Sequence, residues 1–199
     1  LRIGGGQHRG RRIEGPEGRD LRPLRNRVRL ALFDILAPVL PGAEFLDLFA
    51  GTGAVGLEAL SRGAKRATFV DSSPRAVRLI RANAERLGCQ QRVEILHMDT
   101  LKALQQLAQR GRRFDLVFVG APYGTGLGQK ATHALAQFQP LHPGALVVLE
   151  SFHKERLDPQ YGHLTLEQNR VYGETRLSFF RFAPGQHGGY TAPQPEGQE

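Results

Sequence analysis

The residues able to do chemistry gather where apolar runs end. In Leu46-Asp47-Leu48-Phe49-Ala50-Gly51-Thr52-Gly53-Ala54-Val55-Gly56, an apolar run carrying one carboxylate leads into three glycines and then into a stretch with Leu57 and Leu60 on one side. Strand, glycine turn and helix fit this order, because a backbone without Cβ takes unusual φ/ψ and lets a ligand approach the main chain closely. Gly51, Gly53 and Gly56 satisfy G-x-G-x-x-G, with acidic Asp71 about 20 residues further on. That spacing does not separate NAD from other adenosine-bearing cofactors. Asp47 does, since a carboxylate inside a strand end needs a donor or a cation to offset its desolvation. The α-ammonium of S-adenosylmethionine is such a cation. Two other readings stand beside this one: Asp47 as a cap on the turn, and an NAD-dependent oxidoreductase, for which no hydride-transfer acid is placed nearby.

Asp71-Ser72, Met98-Asp99 and Gly120-Ala121-Pro122-Tyr123 also follow apolar, β-rich runs. In an open α/β sheet ligands bind beyond the carboxyl ends of the strands, so these clusters are expected to share one crevice with Asp47, Phe49, Gly51, Thr52 and Gly53. There Asp71 is placed to accept from both ribose hydroxyls. Asp99 either takes the adenine amino group, with Met98 against the ring, or caps the helix that follows. Tyr123 either stacks on a base or packs in the core. The seven histidines are scattered, none spaced as a metal pair, and Cys89 is the only cysteine, so no metal site is expected. No Ser or Cys sits in a nucleophile elbow, which leaves acyl transfer without support.

Charge is concentrated at one end. Residues 1–30 hold nine arginines, no lysine and three acids, a net +6 of the chain's +8. Arg9, Arg11 and Arg12 form a compact cluster, and Arg22, Arg25 and Arg27 follow. Arginine's planar fork donates two parallel hydrogen bonds to phosphate, so this end is read as a grip on nucleic acid. The alternative is a solvated arm.

These residues must be held by a framework, and the pattern predicts one. Residues 1–20 read as an irregular basic arm or short hairpin, and 24–37 as a helix showing Arg25 and Arg29 outward. From Leu46 to Glu150, β-rich runs (66–70, 92–97, 114–119, 145–150) alternate with helical stretches, among them one with Leu101, Leu104 and Leu107 inward. Leu164 to Tyr172 and Glu174 to Phe182 read as a closing hairpin around Gly173. The expected fold is a single α/β domain over 21–182, Rossmann-like, with a mostly parallel sheet ending in an antiparallel hairpin. A Pro-, Gly- and Gln-rich tail, 183–199, is expected to be disordered. No run approaches the roughly 20 apolar residues of a membrane span. Leu1-Arg2-Ile3-Gly4-Gly5-Gly6 lacks the apolar core of a signal peptide and Cys89 is the only cysteine, so a cytoplasmic location is expected; a monomer is also expected.

The chain resembles the RsmD family, bacterial enzymes that methylate the exocyclic N2 amine of a guanine in small-subunit ribosomal RNA. The matching residues are Arg2-Ile3-Gly4-Gly5 with Arg9-Gly10-Arg11, and Leu21-Arg22-Pro23 with Arg27-Val28-Arg29 and Leu32-Phe33. They continue through Leu46 to Ala64, Phe114-Asp115-Leu116-Val117-Phe118 and Pro122-Tyr123. The resemblance implies a class I methyltransferase fold, S-adenosylmethionine as methyl donor, and ribosomal RNA or the assembled small subunit as partner. It also implies a catalytic turn at Gly120-Ala121-Pro122-Tyr123 whose aromatic residue stacks on the target base. In that family the turn reads Asp-Pro-Pro-Tyr or Asp-Pro-Pro-Phe, and Gly120 supplies no side-chain acceptor. Three consequences are open: a slow enzyme using the carbonyls of Gly120 and Ala121, a carboxylate recruited from elsewhere such as Glu150, or an RNA-binding assembly factor without turnover.

Overall fold

The computed structural model describes residues 1–16 and 24–185. Arg22 and residues 186–199 of the expected tail therefore lie outside the described residues.

The parallel part of the sheet comprises β1 (Glu44–Leu48), β2 (Arg66–Asp71), β3 (Val93–His97), β4 (Phe114–Val119) and β5 (Leu141–Phe152). β6 (Gln160–Tyr161), β7 (Leu164–Tyr172) and β8 (Thr175–Phe182) extend it antiparallel, giving eight strands in the order β3-β2-β1-β4-β5-β8-β7-β6. The helices are α1 (Asn26–Leu36), α2 (Ala54–Ser61), α3 (Pro74–Leu87), α4 (Thr100–Gln109) and α5 (Leu127–Phe138). None of them is long and apolar enough to cross a membrane.

Successive strand side chains point to opposite faces, and both faces are buried. Phe45 packs with residues of α1, α2 and α3, including Phe33, Leu57 and Ile80, whereas Leu46 packs with residues of α4 and α5, including Leu104 and Leu135. Phe179 and Phe180 of β8 divide in the same way. This is the doubly covered α/β architecture that the alternating pattern predicts. Chain order reverses between β1 and β4, and a reversal of this kind opens a crevice at the carboxyl ends of the two strands.

Local signals set most boundaries. The Ser73 hydroxyl accepts from the Ala76 amide, Pro74 occupies the first turn of α3, and Gly88 ends it at φ 70°. β5 begins four residues before the expected Ala145, and its register against β4 shifts between Phe114 and Leu116, which accommodates Pro143-Gly144. The inward stripe of α4 is Thr100, Ala103, Leu104 and Leu107, while Leu101 is exposed, contrary to expectation. The Asp99 cap starts the helix at Thr100, which rotates the second residue off the buried stripe.

The N-terminal segment is a hairpin around a 3₁₀ turn at Gly6–His8, closed by Ile3 N–H to Arg11 O, Gly10 N–H to Ile3 O and Ile13 N–H to Leu1 O. Ile3 and Ile13 are buried. The hairpin lies on α2, where the Gly4 amide donates to both carboxylate oxygens of Glu58 (3.1 and 2.9 Å) and Ser61 Oγ donates to Gly5 O.

Arg29 corrects the expected outward arginine face of α1. Arg25 is exposed, but Arg29 is fully buried, its Nε 3.5 Å from Glu58 Oε2 and its Nη2 donating to Asn26 Oδ1 and to Arg2 O. A helical spacing of four places two residues on one side only within the helix, and Arg25 is the non-helical N-cap (φ −53°, ψ 137°), so Arg29 alone lies on the buried side, against a buried acid. Removing one partner of a buried ion pair leaves the other uncompensated, at a cost of about 3–5 kcal/mol, whereas apolar replacement of both is often tolerated. Glu58→Gln should therefore lower unfolding stability in urea by that order, and Glu58→Gln with Arg29→Met should recover most of the loss.

Candidate active site

The crevice is assembled from strand ends. At the end of β1 the chain reverses through Phe49, a non-glycine residue at φ 57°, which is the left-handed region. Holding such a residue there costs about 1–3 kcal/mol and marks a backbone fixed by its surroundings. The bonds that hold it follow at once: Ala50 N–H to Val70 O at 3.1 Å and Gly51 N–H to Asp71 Oδ2 at 2.9 Å. Gly51 and Gly53 both have positive φ, and space above Gly51 is open. Gly56 is glycine for a packing reason, since a Cβ there would lie 2.3 Å from the Phe69 ring. The three glycines thus serve different ends, two shaping the turn and one letting α2 settle on β2.

Asp47 is 2% exposed and accepts from the Gly56 amide at 3.0 Å. Burial pushes its titration well above the usual carboxylate range, the Gly56 amide opposes that, and the nearby carboxylates of Asp71 and Glu150 push it further. Of the two sequence readings of Asp47, the tie to the turn is seen in the bond from Gly56, and the carboxylate has other acids near it. Asp71 accepts from Gly51 and, through Oδ1, from Ser73. Ser72 is exposed beside it, its carbonyl 3.1 Å from His97 Nε2. The Met98 amide donates to Asp71 O, and the Met98 side chain is partly buried. Asp99 Oδ1 accepts from the amides of Leu101 and Lys102, so the capping role is real, and its carboxylate is exposed at the crevice rim.

On the other side of the reversal, the Gly120 amide donates to Leu48 O at 3.2 Å, setting the turn after β4 directly beside the end of β1. Ala121 is buried, Pro122 and Tyr123 are exposed. The Tyr123 hydroxyl donates to Glu150 Oε1 at 2.6 Å and lies 2.9 Å from Thr175 Oγ1. Burial and the Glu150 carboxylate push the Tyr123 phenol up, so it remains a protonated donor. Burial also raises Glu150, against the Tyr123 hydrogen bond, which lowers it.

Sequence reading missed Asn83, which is fully buried. Its Nδ2 donates to Thr52 O (2.9 Å) and Glu14 O (3.0 Å), and its Oδ1 accepts from the Glu14 amide (2.6 Å). One side chain thereby fastens the basic hairpin to the glycine turn. The available signal was an amide three residues after Ile80 and next to Ala84, inside an apolar stripe. Of the proposed RNA ligands, Arg9, Arg12, Arg25 and Arg27 are exposed. Arg11 is exposed too, but it donates to Leu87 O and Arg86 O at the end of α3, which complements the negative end of that helix.

This fold, with its turn-held acids at the reversal point, is that of the S-adenosylmethionine-dependent methyltransferases. The family model described as conserved hypothetical protein 95 matches residues 1–181. Ribosomal RNA small subunit methyltransferase D of Escherichia coli (strain K12) is 37% identical over 191 residues, covering 91% of this chain and 89% of that protein. Its Haemophilus influenzae namesake is 35% identical, covering 76% of this chain and 78% of that one. The solved structure of Escherichia coli yhhF superposes with a TM-score of 0.81 at 33% identity, covering 92% and 98% of the two chains. The chain belongs to the RsmD family. An RNA methyltransferase of Salinibacter ruber, solved with S-adenosyl-L-homocysteine, shares the fold at a TM-score of 0.62 and 20% identity over 89% of this chain and 99% of that one.

The raised Asp47 titration has two readable effects. An unfolded aspartate titrates near about 3.9, so as pH rises from there through the higher folded value the unfolded state loses its proton first, and stability falls. Asp47→Asn removes that penalty and should raise Tm at neutral pH by about 2–4 °C for each kcal/mol relieved. On the reading proposed below, in which Asp47 faces the ammonium group of S-adenosylmethionine, the same change should weaken binding of that cofactor at least about tenfold, the scale of a lost charge-assisted hydrogen bond. In the unsubstituted protein, calorimetry should show that affinity increasing with pH as Asp47 ionises.

Proposed function

We propose that this protein transfers a methyl group from S-adenosylmethionine to the exocyclic N2 amine of a guanine in small-subunit ribosomal RNA. The observation that carries the reading is the contact between Gly120 and Leu48. It places a turn with an exposed aromatic residue immediately beside the turn suited to the cofactor.

The residues present fit the cofactor. Open space above the positive-φ Gly51 admits a ligand against the main chain, and the buried Asp47, with Asp71 and Glu150 near it, favours a positively charged group. Asp47, Phe49, Gly51, Thr52 and Gly53 would hold its methionine side, and Asp71, Ser72, Met98 and Asp99 its nucleoside. When bound it supplies an already activated methyl group, so the protein's contribution is chiefly orientation. Pro122 and Tyr123 would position the base, Tyr123 as a stacking surface once the nucleotide leaves its stack. The carbonyls of Gly120 and Ala121 would accept hydrogens of the amine. Arg9, Arg12, Arg25 and Arg27 would grip phosphates. Because Asn83 joins the hairpin to Thr52, that grip would locate the RNA relative to the methyl donor.

The second reading is an RNA-binding assembly factor that keeps the pocket without turnover, and Gly120 is the observation in its favour. Labelled methyl transfer to small subunits purified from a strain lacking this protein separates the two. Transfer to one guanine is expected; none above background at saturating cofactor leaves only the assembly factor. Replacing Arg9 and Arg12 together by Ala should weaken RNA binding and reduce the slope of log K against log salt by about 1.4, at roughly 0.7 per phosphate for single strands. An unchanged slope would mean that neither touches phosphate.

A further inference from the structure

An amine that gains a methyl group must give up a proton, and Gly120 has no side chain to take it. Nor is position 120 open to one: a Cβ there would lie 2.8 Å from Cε1 of the Phe118 ring, which fills the adjoining space. The same hypothetical Cβ lies 3.5 Å from Glu150 Oε2. Glu150 follows Leu149 on β5, which pairs with Val119 at the end of β4, so its carboxylate reaches across from the neighbouring strand to the place a side chain at 120 would occupy.

The two oxygens of that carboxylate are differently committed. Oε1 accepts from the Tyr123 hydroxyl at 2.6 Å, and Thr175 Oγ1 completes that cluster at 2.9 Å from the same hydroxyl. Oε2 has no hydrogen-bond donor among the described residues and faces the Gly120 turn. Of the other acids nearby, Glu155 is spent on backbone, its Oε1 accepting from the amides of Gly124 and Phe152, and Asp47 is buried and accepts from the Gly56 amide. Tyr123 therefore does two things at once. Its side chain is exposed at the turn, and its hydroxyl fixes Oε1 of Glu150 while Oε2 stays beside Gly120.

We propose that Glu150 is a catalytic residue of this protein, accepting a hydrogen of the target amine through Oε2. The assignment rests on the methyltransferase reading above. In the step, the nitrogen lone pair forms the N–C bond while the pair of the S–C bond returns to sulfur. The proton displaced from nitrogen passes to the Glu150 carboxylate and from there to solvent. Tyr123 acts on this step as a positioning residue through its hydroxyl, in addition to holding the base. The pair supplies from β5 the acceptor that β4 lacks.

The test compares the unsubstituted protein with Glu150→Gln, which keeps the shape and the Tyr123 contact, and with Glu150→Asp, which keeps the charge but withdraws it by one methylene. Tm confirms that each is folded. Single-turnover methyl transfer to small subunits from the deletion strain, and calorimetric affinities for S-adenosylmethionine and S-adenosylhomocysteine, are the readouts. Loss of a positioned proton acceptor typically costs about 10²–10⁴ in rate. Glu150→Gln should fall at least about a hundredfold in the transfer rate, with both affinities and KM for the subunit within about threefold, and Glu150→Asp should recover part of the rate. A Glu150→Gln rate within threefold of the unsubstituted protein overturns the assignment while leaving the methyltransferase reading intact. A loss confined to S-adenosylmethionine affinity also overturns it, since Glu150 would then be a counter-ion for the sulfonium. No transfer by the unsubstituted protein overturns the underlying reading and the assignment with it.

Discussion

The carboxylate of Glu58 is the point on which the other parts lean. Helix α2 is buried along its whole length, between β1 and β2 on one side and the N-terminal hairpin on the other. A helix enclosed in that way has no solvent to satisfy a charged side chain, so every polar group it carries must find a protein partner. Glu58 finds several: the Gly4 amide, Arg62 Nε on the next turn at 2.9 Å, and the buried Arg29 of α1. One desolvated charge thus joins the hairpin, α1 and α2. The net energy of such a cluster is small, because desolvation offsets most of the attraction. Its effect is on arrangement, since every alternative packing of these three segments strands a charge.

The same helix begins at the glycine turn, which connects this structural cluster to the chemistry. At its first turn the Gly56 amide points at Asp47, and at its far end Ser61 accepts from the His8 amide of the hairpin at 2.9 Å. Asn83 makes a second bridge, from Glu14 to Thr52. The basic hairpin and the glycine turn are therefore joined by hydrogen bonds of the buried Asn83 and Ser61 side chains. The crevice itself concentrates what folding would avoid: a carboxylate pushed up by burial and by neighbouring acids, and a non-glycine residue in left-handed backbone. Each is unfavourable in itself, and each is held in place: Asp47 by the Gly56 amide of α2, the Phe49 turn by bonds to Val70 and Asp71 at the end of β2.

Much of this was legible in the chain because it depends on local chemistry. Gly51 and Gly53 announced a turn with positive φ, Ser73-Pro74 a helix start, and Asp99 a cap. The alternation of β-rich runs with helical stripes specified a doubly covered sheet. The residues that failed to read correctly did so for a common reason. Arg29 has the spacing of an exposed residue and is buried because α2 brings an acid against it. Leu101 has the spacing of a core residue and is exposed because the cap before it sets the phase of its helix. Asn83 looked like an ordinary polar residue, and its three bonds go to segments 31 and 69 positions away.

By itself the sequence determined the elements, the glycine turn, the carboxylates at the strand ends and the basic N-terminal end, because each follows from backbone freedom, periodicity or charge within a few residues. Only the tertiary structure decided which partners those carboxylates bond and which of their oxygens is left without a donor among the described residues. Glu150 shows this most clearly. The sequence offered it as one carboxylate that could replace the acceptor missing at Gly120, but its hydrogen bond to Tyr123, 27 residues away, has no sequence signal. The pairing exists because β4 and β5 lie side by side in the sheet, with Val119 at the end of β4 opposite Leu149, so that Glu150 follows level with the turn that carries Tyr123.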